Sequence, residues 1–207
     1  LTFTDVTLEG NTASNKGGAV AMLCKSDLEP YAGHTLAFTR VLLRGNASAL
    51  GAGAIDICGN SSLNLTASTL SANSSGSGAG AVTYVQGSKA EIGQILFNSV
   101  TAAEQVGHVL ALNGLANVQI TGSLLSAFDT GSGNICHNPG LTAVPAIPWS
   151  ANAAPTGRFN AVDDDGSCDS LLLSDGSNRD IVPGTPLGNL LVRFLTLADY
   201  TPAAVGA

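Results

Sequence analysis

The sequence predicts an all-β protein built as a parallel β-helix, a solenoid of about five coils followed by a loop-rich C-terminal cap. Segments of similar sequence recur along the chain, each holds two or three short runs of strand-forming residues, and Gly, Asn and Ser separate those runs. A β unit of roughly 26 residues cannot bury its apolar face alone, so the units are expected to stack on one another.

The repeats predict the register in which the coils stack. Residues 1–23 and 36–58 match at an offset of 35, which aligns Phe3 with Phe38 and Val20 with Ile55. Residues 63–85 follow the second segment at an offset of 27, whereas residues 91–112 and 118–136 repeat the pattern more weakly. An insertion near residues 25–34 explains the longer first interval. In the fourth segment the offset of 27 is expected to continue.

Two pairs of opposite charges support this register. At the offset of 35, Asp5 falls on Arg40 and Glu9 falls on Arg44. Because neighbouring strands lie about 4.8 Å apart, stacked opposite charges attract each other. We expect surface ion pairs, which use four of the few charged residues in a chain that is only 11% Asp, Glu, Lys and Arg.

Asparagine recurs at one position of the repeat and predicts an internal ladder. Stacked amides can hydrogen-bond along such a line and satisfy the polar groups of buried turns. The predicted ladder residues are Asn11, Asn46, Asn73 and Asn98.

The composition changes after the last repeat and predicts two regions, the coils in residues 1–136 and the cap in residues 137–207. The cap region holds seven of the eight prolines and no GGA repeat. A loop-rich segment of this kind can cover the end of a solenoid and remove an exposed strand edge.

The four cysteines predict two disulfides and an oxidising compartment. Cys24 and Cys58 follow the glycines of adjacent coils at similar distances, so we expect them to bridge. A bond between Cys136 and Cys168 ties the cap to the last coil, and closing a loop of about 32 residues stabilises a fold by roughly 3–4 kcal/mol in the chain-entropy description. The alternative is four buried free thiols in a cytosolic protein.

Several motifs resemble those of known surface proteins. The runs GGAV (17–20), GAGAI (51–55) and GAGAV (78–82), each preceded by GN or AN, resemble the repeats of polymorphic outer-membrane-protein-like and other right-handed parallel β-helix surface proteins. NICHNPG (134–140), FNAVDDDGSC (159–168) and DIVPGTPLG (180–188) look like the end of secreted β-helix proteins that have a choice-of-anchor region. The resemblance implies a disulfide-containing scaffold at the extracellular surface and no single activity.

Few other residues suggest a site. Asn46, Asn60, Asn64 and Asn73 begin N-x-S/T sequons and are candidate glycosylation sites, of which Asn60 and Asn64 are the better acceptors. Asp163 and Asp165 offer oxygen ligands for Ca²⁺, but the surrounding loop lacks the EF-hand pattern, and a polar turn leading into a disulfide explains it better. We expect no resident cofactor or metal.

Charge and patterning restrict the function classes. The net charge of −7 argues against nucleic acid, and no apolar run is long enough to span a membrane. The acidic residues scatter over different faces, and His34, His108 and His137 are expected to lie apart, so we expect no catalytic site.

Three functions remain open for this chain. The first is a non-catalytic extracellular scaffold for surface structure, adhesion or self-assembly into filaments. Its partners would be further copies, other surface proteins or an extracellular polysaccharide. The alternative is a polysaccharide-active β-helix enzyme, a lyase or hydrolase. An ice- or crystal-binding solenoid ranks last, because it would need regular rows of threonine, and the TFT of residues 2–4 is echoed only by FT at 38–39 and LT at 65–66.

Overall fold

The computed structural model of the protein describes residues 1–22, 33–85, 92–104, 106–127, 135–137, 160–162, 168 and 179–180. These residues form short strands and no helix, so none of them belongs to a helix that could cross a membrane. The described part of the chain is therefore all-β.

Most of the strands are short, as expected where turn residues interrupt a run, and the longest has 12 residues. In chain order they are β1 (Thr2–Thr4), β2 (Thr7–Glu9), β3 (Thr12–Ala13), β4 (Val20–Ala21), β5 (Thr35–Thr39), β6 (Leu42–Arg44), β7 (Ala47–Ser48), β8 (Ile55–Cys58), β9 (Ser62–Thr66), β10 (Thr69–Ser71), β11 (Ser74–Val85), β12 (Gly93–Asn98), β13 (Thr101–Glu104), β14 (Val106–Asn113), β15 (Ala116–Thr121), β16 (Leu124–Ala127), β17 (Cys136–His137), β18 (Ala161–Val162) and β19 (Arg179–Asp180).

These strands stack in three sheets in which neighbouring strands run parallel. Sheet A has the order β1-β5-β9-β12-β15, and sheet B has the order β2-β6-β10-β13-β16-β18-β19. Sheet C contains β3-β7-β11-β14-β17, with β8 pairing with both β4 and β11. The chain passes from sheet A to B to C and then returns to A one layer further on. This path is consistent with the predicted parallel β solenoid.

The register expected for the first three layers is confirmed. Phe3 pairs with Phe38 at the offset of 35, and their rings stack with centroids 4.9 Å apart. Ile55 pairs with Val20 in the layer before it and with Val82 in the layer after it. This register keeps each apolar side chain on the inner face of its sheet, because a shift by one residue would turn the side chain outward.

The fourth layer departs from the expected offset of 27. Ala79 pairs with His108 and Val82 pairs with Leu110, with a register shift between the two pairs. The irregularity in β11 and β14 absorbs extra residues, as a β-bulge does. The expectation that the repeat continues unchanged into this segment is therefore wrong.

The core lies between the three sheets. Side chains alternate along each strand, so every second residue of sheet A points inward and is buried. Burying a Leu, Ile or Phe side chain stabilises a fold by about 1.5–3 kcal/mol. The buried residues of sheet A are Leu36, Phe38, Leu63, Leu65, Ile95, Phe97, Ala116, Val118 and Ile120.

In each layer, one residue with a left-handed backbone conformation forms the corner between sheets A and B. The φ values of these residues lie between 46° and 58°, although only one of the five is a glycine. A non-glycine residue in this region is unfavourable by itself, so the stacked neighbours must hold it there. The residues are Asp5, Arg40, Ala67, Ser99 and Gly122.

Sheet B continues beyond the predicted end of the coils at residue 136. Ala161 and Val162 pair with Leu124 and Leu125 of β16, and β19 then pairs with β18. The predicted disulfide between Cys136 and Cys168 is present, with a Cα–Cα distance of 5.2 Å. The rest of the predicted cap in residues 137–207 lies outside the described residues.

Candidate functional site

Three of the predicted asparagines form a hydrogen-bonded ladder at the corner between sheets B and C. Asn46 Oδ1 accepts from the backbone N and the Nδ2 of Asn11 at 3.0 and 2.9 Å. Asn73 Oδ1 accepts the same pair of bonds from Asn46 at the same distances. Each Nδ2 also donates back to the preceding layer, to Leu8 O and Leu43 O respectively. The ladder therefore satisfies the backbone of two successive corners.

The ladder ends on Glu104 and not on Asn98. Glu104 Oε1 accepts from Asn73 Nδ2 at 3.0 Å, and Oε2 accepts from the Asn73 backbone N. Asn98 lies instead at the exposed end of β12, in register with Thr66 and Thr121. Its predicted place in the ladder is wrong, because the fourth layer pairs with the third at an offset of 32 in sheets A and B, which puts Glu104 where the amide was expected.

Glu104 is fully buried, and this environment changes its acidity. Burial raises the pKa of Glu104 to about 7, although the two hydrogen bonds from Asn73 favour the ionised form and oppose this shift. A carboxyl group in such a place ends the ladder as an acceptor. It does not face solvent, where a substrate would be.

The other carboxylates whose side chains are described also have structural partners. Asp5 pairs with Arg40 through two contacts of 2.7 Å, and Glu9 pairs with Arg44, as the register predicted. The Arg40 guanidinium lowers the pKa of Asp5. Asp56 is buried and accepts from Ala52 N at 3.1 Å, and burial raises its pKa despite that hydrogen bond.

The histidines are not all separated, contrary to expectation. The rings of His108 and His137 stack with centroids 4.3 Å apart and planes 8° from parallel. Burial and the neighbouring His108 lower the pKa of His137. In the part of the chain that the structure describes, no group of three or more His, Cys, Asp or Glu side chains is arranged to hold a metal ion.

Several predicted site residues lie outside the described residues. Asp163 and Asp165, the Ca²⁺ candidates, are among them, and so is Cys24. Cys58 is not a free thiol, but its predicted bond to Cys24 stays a prediction.

Burial divides the four sequons. Asn46 and Asn73 are inaccessible to solvent and their amides belong to the ladder, so the prediction that they accept glycans is wrong. Asn60 is exposed and Asn64 is half-buried on the outer face of sheet A. Glycosylation of these two residues stays a prediction.

The outer face of sheet A is polar and uncharged. Its five strands contain no Asp, Glu, Lys or Arg. The last residue of each of these strands lies next to the corner with sheet B and in register with the last residue of the neighbouring strand. Four of these five residues are threonines. The row is Thr4, Thr39, Thr66, Asn98 and Thr121. We call this surface, with its strands β1, β5, β9, β12 and β15, the A face.

An open groove of about 290 Å³ crosses the last three strands of the A face. Leu96 is half-buried between Asn64 and Gln119, with which it pairs in register. Gln94 and Asn117 pair with each other in the adjacent row. Among the described residues, none of these four amide side chains makes a hydrogen bond to the protein. The groove therefore combines an apolar centre with four available amides.

Sequence reasoning missed this groove and one further amide. The repeat predicted which residues stack, but the four groove amides do not recur at one repeat position. Asn160 accepts from Ser123 N at 2.9 Å and donates to Ile120 O at 2.8 Å, and so resembles the ladder asparagines at the other corner. Only the motif FNAVDDDGSC (159–168) marked its segment in the sequence.

No protein-family model matches this chain, and no curated protein or solved structure matches it either. The function is therefore argued from the geometry of the described residues.

Proposed function

We propose that this protein is a non-catalytic, right-handed parallel β-helix scaffold of the extracellular surface, acting in surface structure, adhesion or self-assembly. The parallel sheets and the A-to-B-to-C path of the chain support the β-helix, and connections between parallel strands are right-handed in nearly all proteins. The resemblance of the glycine-rich repeats to those of β-helix surface proteins, together with the disulfide, supports the location.

One observation favours a scaffold over an enzyme: the carboxylates whose side chains are described are committed to the fold. Two form ion pairs with arginines of the next layer, and two are buried against the backbone. Hydrolysis of a glycosidic bond needs two carboxyl groups flanking the substrate about 5–9.5 Å apart. The described A face has none to offer.

The experiment is a depolymerisation screen with the purified chain. Neutral and anionic polysaccharides are incubated with the protein, and reducing ends and the absorbance of unsaturated products are followed. A scaffold leaves both signals at the level of the heat-denatured control. Release of products that depends on the folded protein would overturn the proposal in favour of a lyase or hydrolase.

A second measurement addresses self-assembly. Light scattering after size exclusion, with negative-stain electron microscopy of the same fractions, separates filaments from single short rods. Filaments support a role in surface structure. Single rods support adhesion through the side faces of the coils.

A further inference from the structure

We propose that the groove on the A face binds a neutral polysaccharide chain. This inference rests on the scaffold function proposed above, and it names the class of ligand that the scaffold binds. Four steps lead to it: the hydrogen-bonding chemistry of the groove, its apolar centre, its lack of charge and its shape.

The hydrogen-bonding groups of the groove match those of a sugar. Each side-chain amide of Asn64, Gln94, Asn117 and Gln119 offers two N–H donors and one oxygen acceptor. A sugar hydroxyl also donates and accepts, so an amide and a hydroxyl can exchange two hydrogen bonds. Within the described chain these amides have no protein partner, in contrast with the buried amides of Asn46 and Asn73.

The centre of the groove supplies an apolar contact. Leu96 lies in the same row as Asn64 and Gln119, one strand spacing from each, which is about 4.8 Å. The C–H face of a pyranose ring can rest on this side chain while its hydroxyls reach the flanking amides. Small-molecule sites commonly combine an apolar floor with a few placed polar groups in this way.

The lack of charge selects a neutral ligand. The strands of the A face contain no Asp, Glu, Lys or Arg, the charged residues Asp5 and Arg40 at the neighbouring corner pair with each other, and the whole chain has a net charge of −7. An anionic polysaccharide would be repelled by this net charge and would find no Lys or Arg among the groove residues. A neutral polymer binds without desolvating any ion.

The shape of the groove favours a chain over a single sugar or a crystal surface. The groove crosses three strands, a width of about 10 Å at the usual strand spacing, and it is open to solvent. Thr66 and Thr121 continue the polar surface beside it. Ice requires a flat and regular array, whereas Gln94 and Leu96 differ in length and leave the surface uneven.

The test is isothermal titration calorimetry with hydroxyethyl cellulose and galactomannan as neutral probes and alginate as the anionic probe. We expect binding to at least one neutral polymer and none to alginate. The double variant Gln94→Ala/Gln119→Ala should lower the affinity for the neutral polymer roughly tenfold, because it removes two hydrogen-bonding side chains. The matched control, Thr69→Ala/Thr101→Ala on the outer side of sheet B, should leave the affinity unchanged.

Four outcomes would overturn the proposal. They are no binding to either neutral polymer, equal binding to alginate, full affinity in the Gln94/Gln119 variant, and thermal hysteresis of ice growth without polysaccharide binding. Circular dichroism and urea unfolding establish that each variant is folded. Reducing ends are measured in the same mixtures: release of products would contradict the scaffold function alone, whereas absence of binding by the parent protein, without release of products, would contradict the groove alone.

Discussion

Two groups of amide side chains in this molecule have the same chemistry and opposite surroundings. In the ladder, Asn46 and Asn73 are fully buried and each amide bonds to the layers on both sides. In the groove of the A face, Gln94 and Gln119 are exposed. The comparison teaches that burial, and not residue type, separates the amides that hold the coils in register from those available to a ligand.

The largest expected effect is the loss of a ladder amide. Asn73→Ala removes the acceptor of two bonds from Asn46 and the donor to Leu43 O and Glu104 Oε1, whereas Glu104 Oε2 keeps its bond from the backbone N. Because each buried polar group left unsatisfied costs about 1–3 kcal/mol, we expect the free energy of unfolding to fall by about 4 kcal/mol. Urea unfolding followed by circular dichroism measures it.

Asn98→Ala is the matched control for this variant. Asn98 is an exposed asparagine that lies outside the ladder, so its loss should change the free energy of unfolding by less than about 0.5 kcal/mol. Equal losses in the two variants would mean that the ladder does not set the register.

The next effect concerns pH and the buried end of the ladder. Because the folded-state pKa of Glu104 is raised to about 7 from 4.5, the folded protein binds this proton more tightly than the unfolded chain does. The stabilisation from this tighter proton binding is complete below about pH 4.5 and is lost as the pH rises to about 7. The free energy of unfolding changes by about 3 kcal/mol over this range.

Glu104→Gln isolates that contribution, since glutamine does not titrate. The difference in the free energy of unfolding between the parent and the variant should change between pH 4.5 and pH 7 and be constant above about pH 8. Unfolding curves at a series of pH values measure this difference. Parallel pH profiles for the two proteins would show that the pKa of Glu104 is the same in the folded and unfolded states, which would contradict the raised value.

A much smaller effect is expected from the groove amides. Gln94→Ala/Gln119→Ala removes two exposed side chains without hydrogen bonds to the described protein, so the free energy of unfolding should change by less than about 0.5 kcal/mol per residue. Thermal unfolding by calorimetry measures the change. A loss close to that of Asn73→Ala would place these residues in the fold and not in a binding surface.

The smallest effect is expected from the ion pair between Asp5 and Arg40. Its two side chains are exposed, with 62% and 58% of their surface accessible, so water and salt screen the attraction. Arg40→Ala should not change the unfolding midpoint beyond the error of the measurement in 0.5 M salt. A large drop that persists in salt would indicate that the charge pair, and not the ladder, aligns the first two layers.

The sequence predicted the fold best where each layer repeats the one before it. Phe3 and Phe38, the two ion pairs and the first three ladder asparagines all follow from offsets of 35 and 27, because all three sheets pair at the same offset in these layers. The stacking of identical positions makes residue spacing a direct measure of spatial proximity.

The prediction failed where the layers change length. The fourth layer pairs with the third at an offset of 32 in sheets A and B, which moves Asn98 out of the ladder and brings Glu104 in, and a single repeat offset contains no information about such a change. The stacking of His108 on His137 was missed for a related reason, since the segment between them interrupts the repeat. The groove was missed because its four amides lie at different positions of the repeat in three strands.

The most direct test of the division between ladder and groove is hydrogen exchange of the side-chain amides, followed by NMR on one sample of the folded protein. Buried, hydrogen-bonded groups exchange only when the structure opens. The account predicts slow exchange for the Nδ2 groups of Asn46 and Asn73, and rates close to those of free peptides for Gln94 and Gln119. Rapid exchange at Asn46 and Asn73, or protection at Gln94 and Gln119, would contradict it.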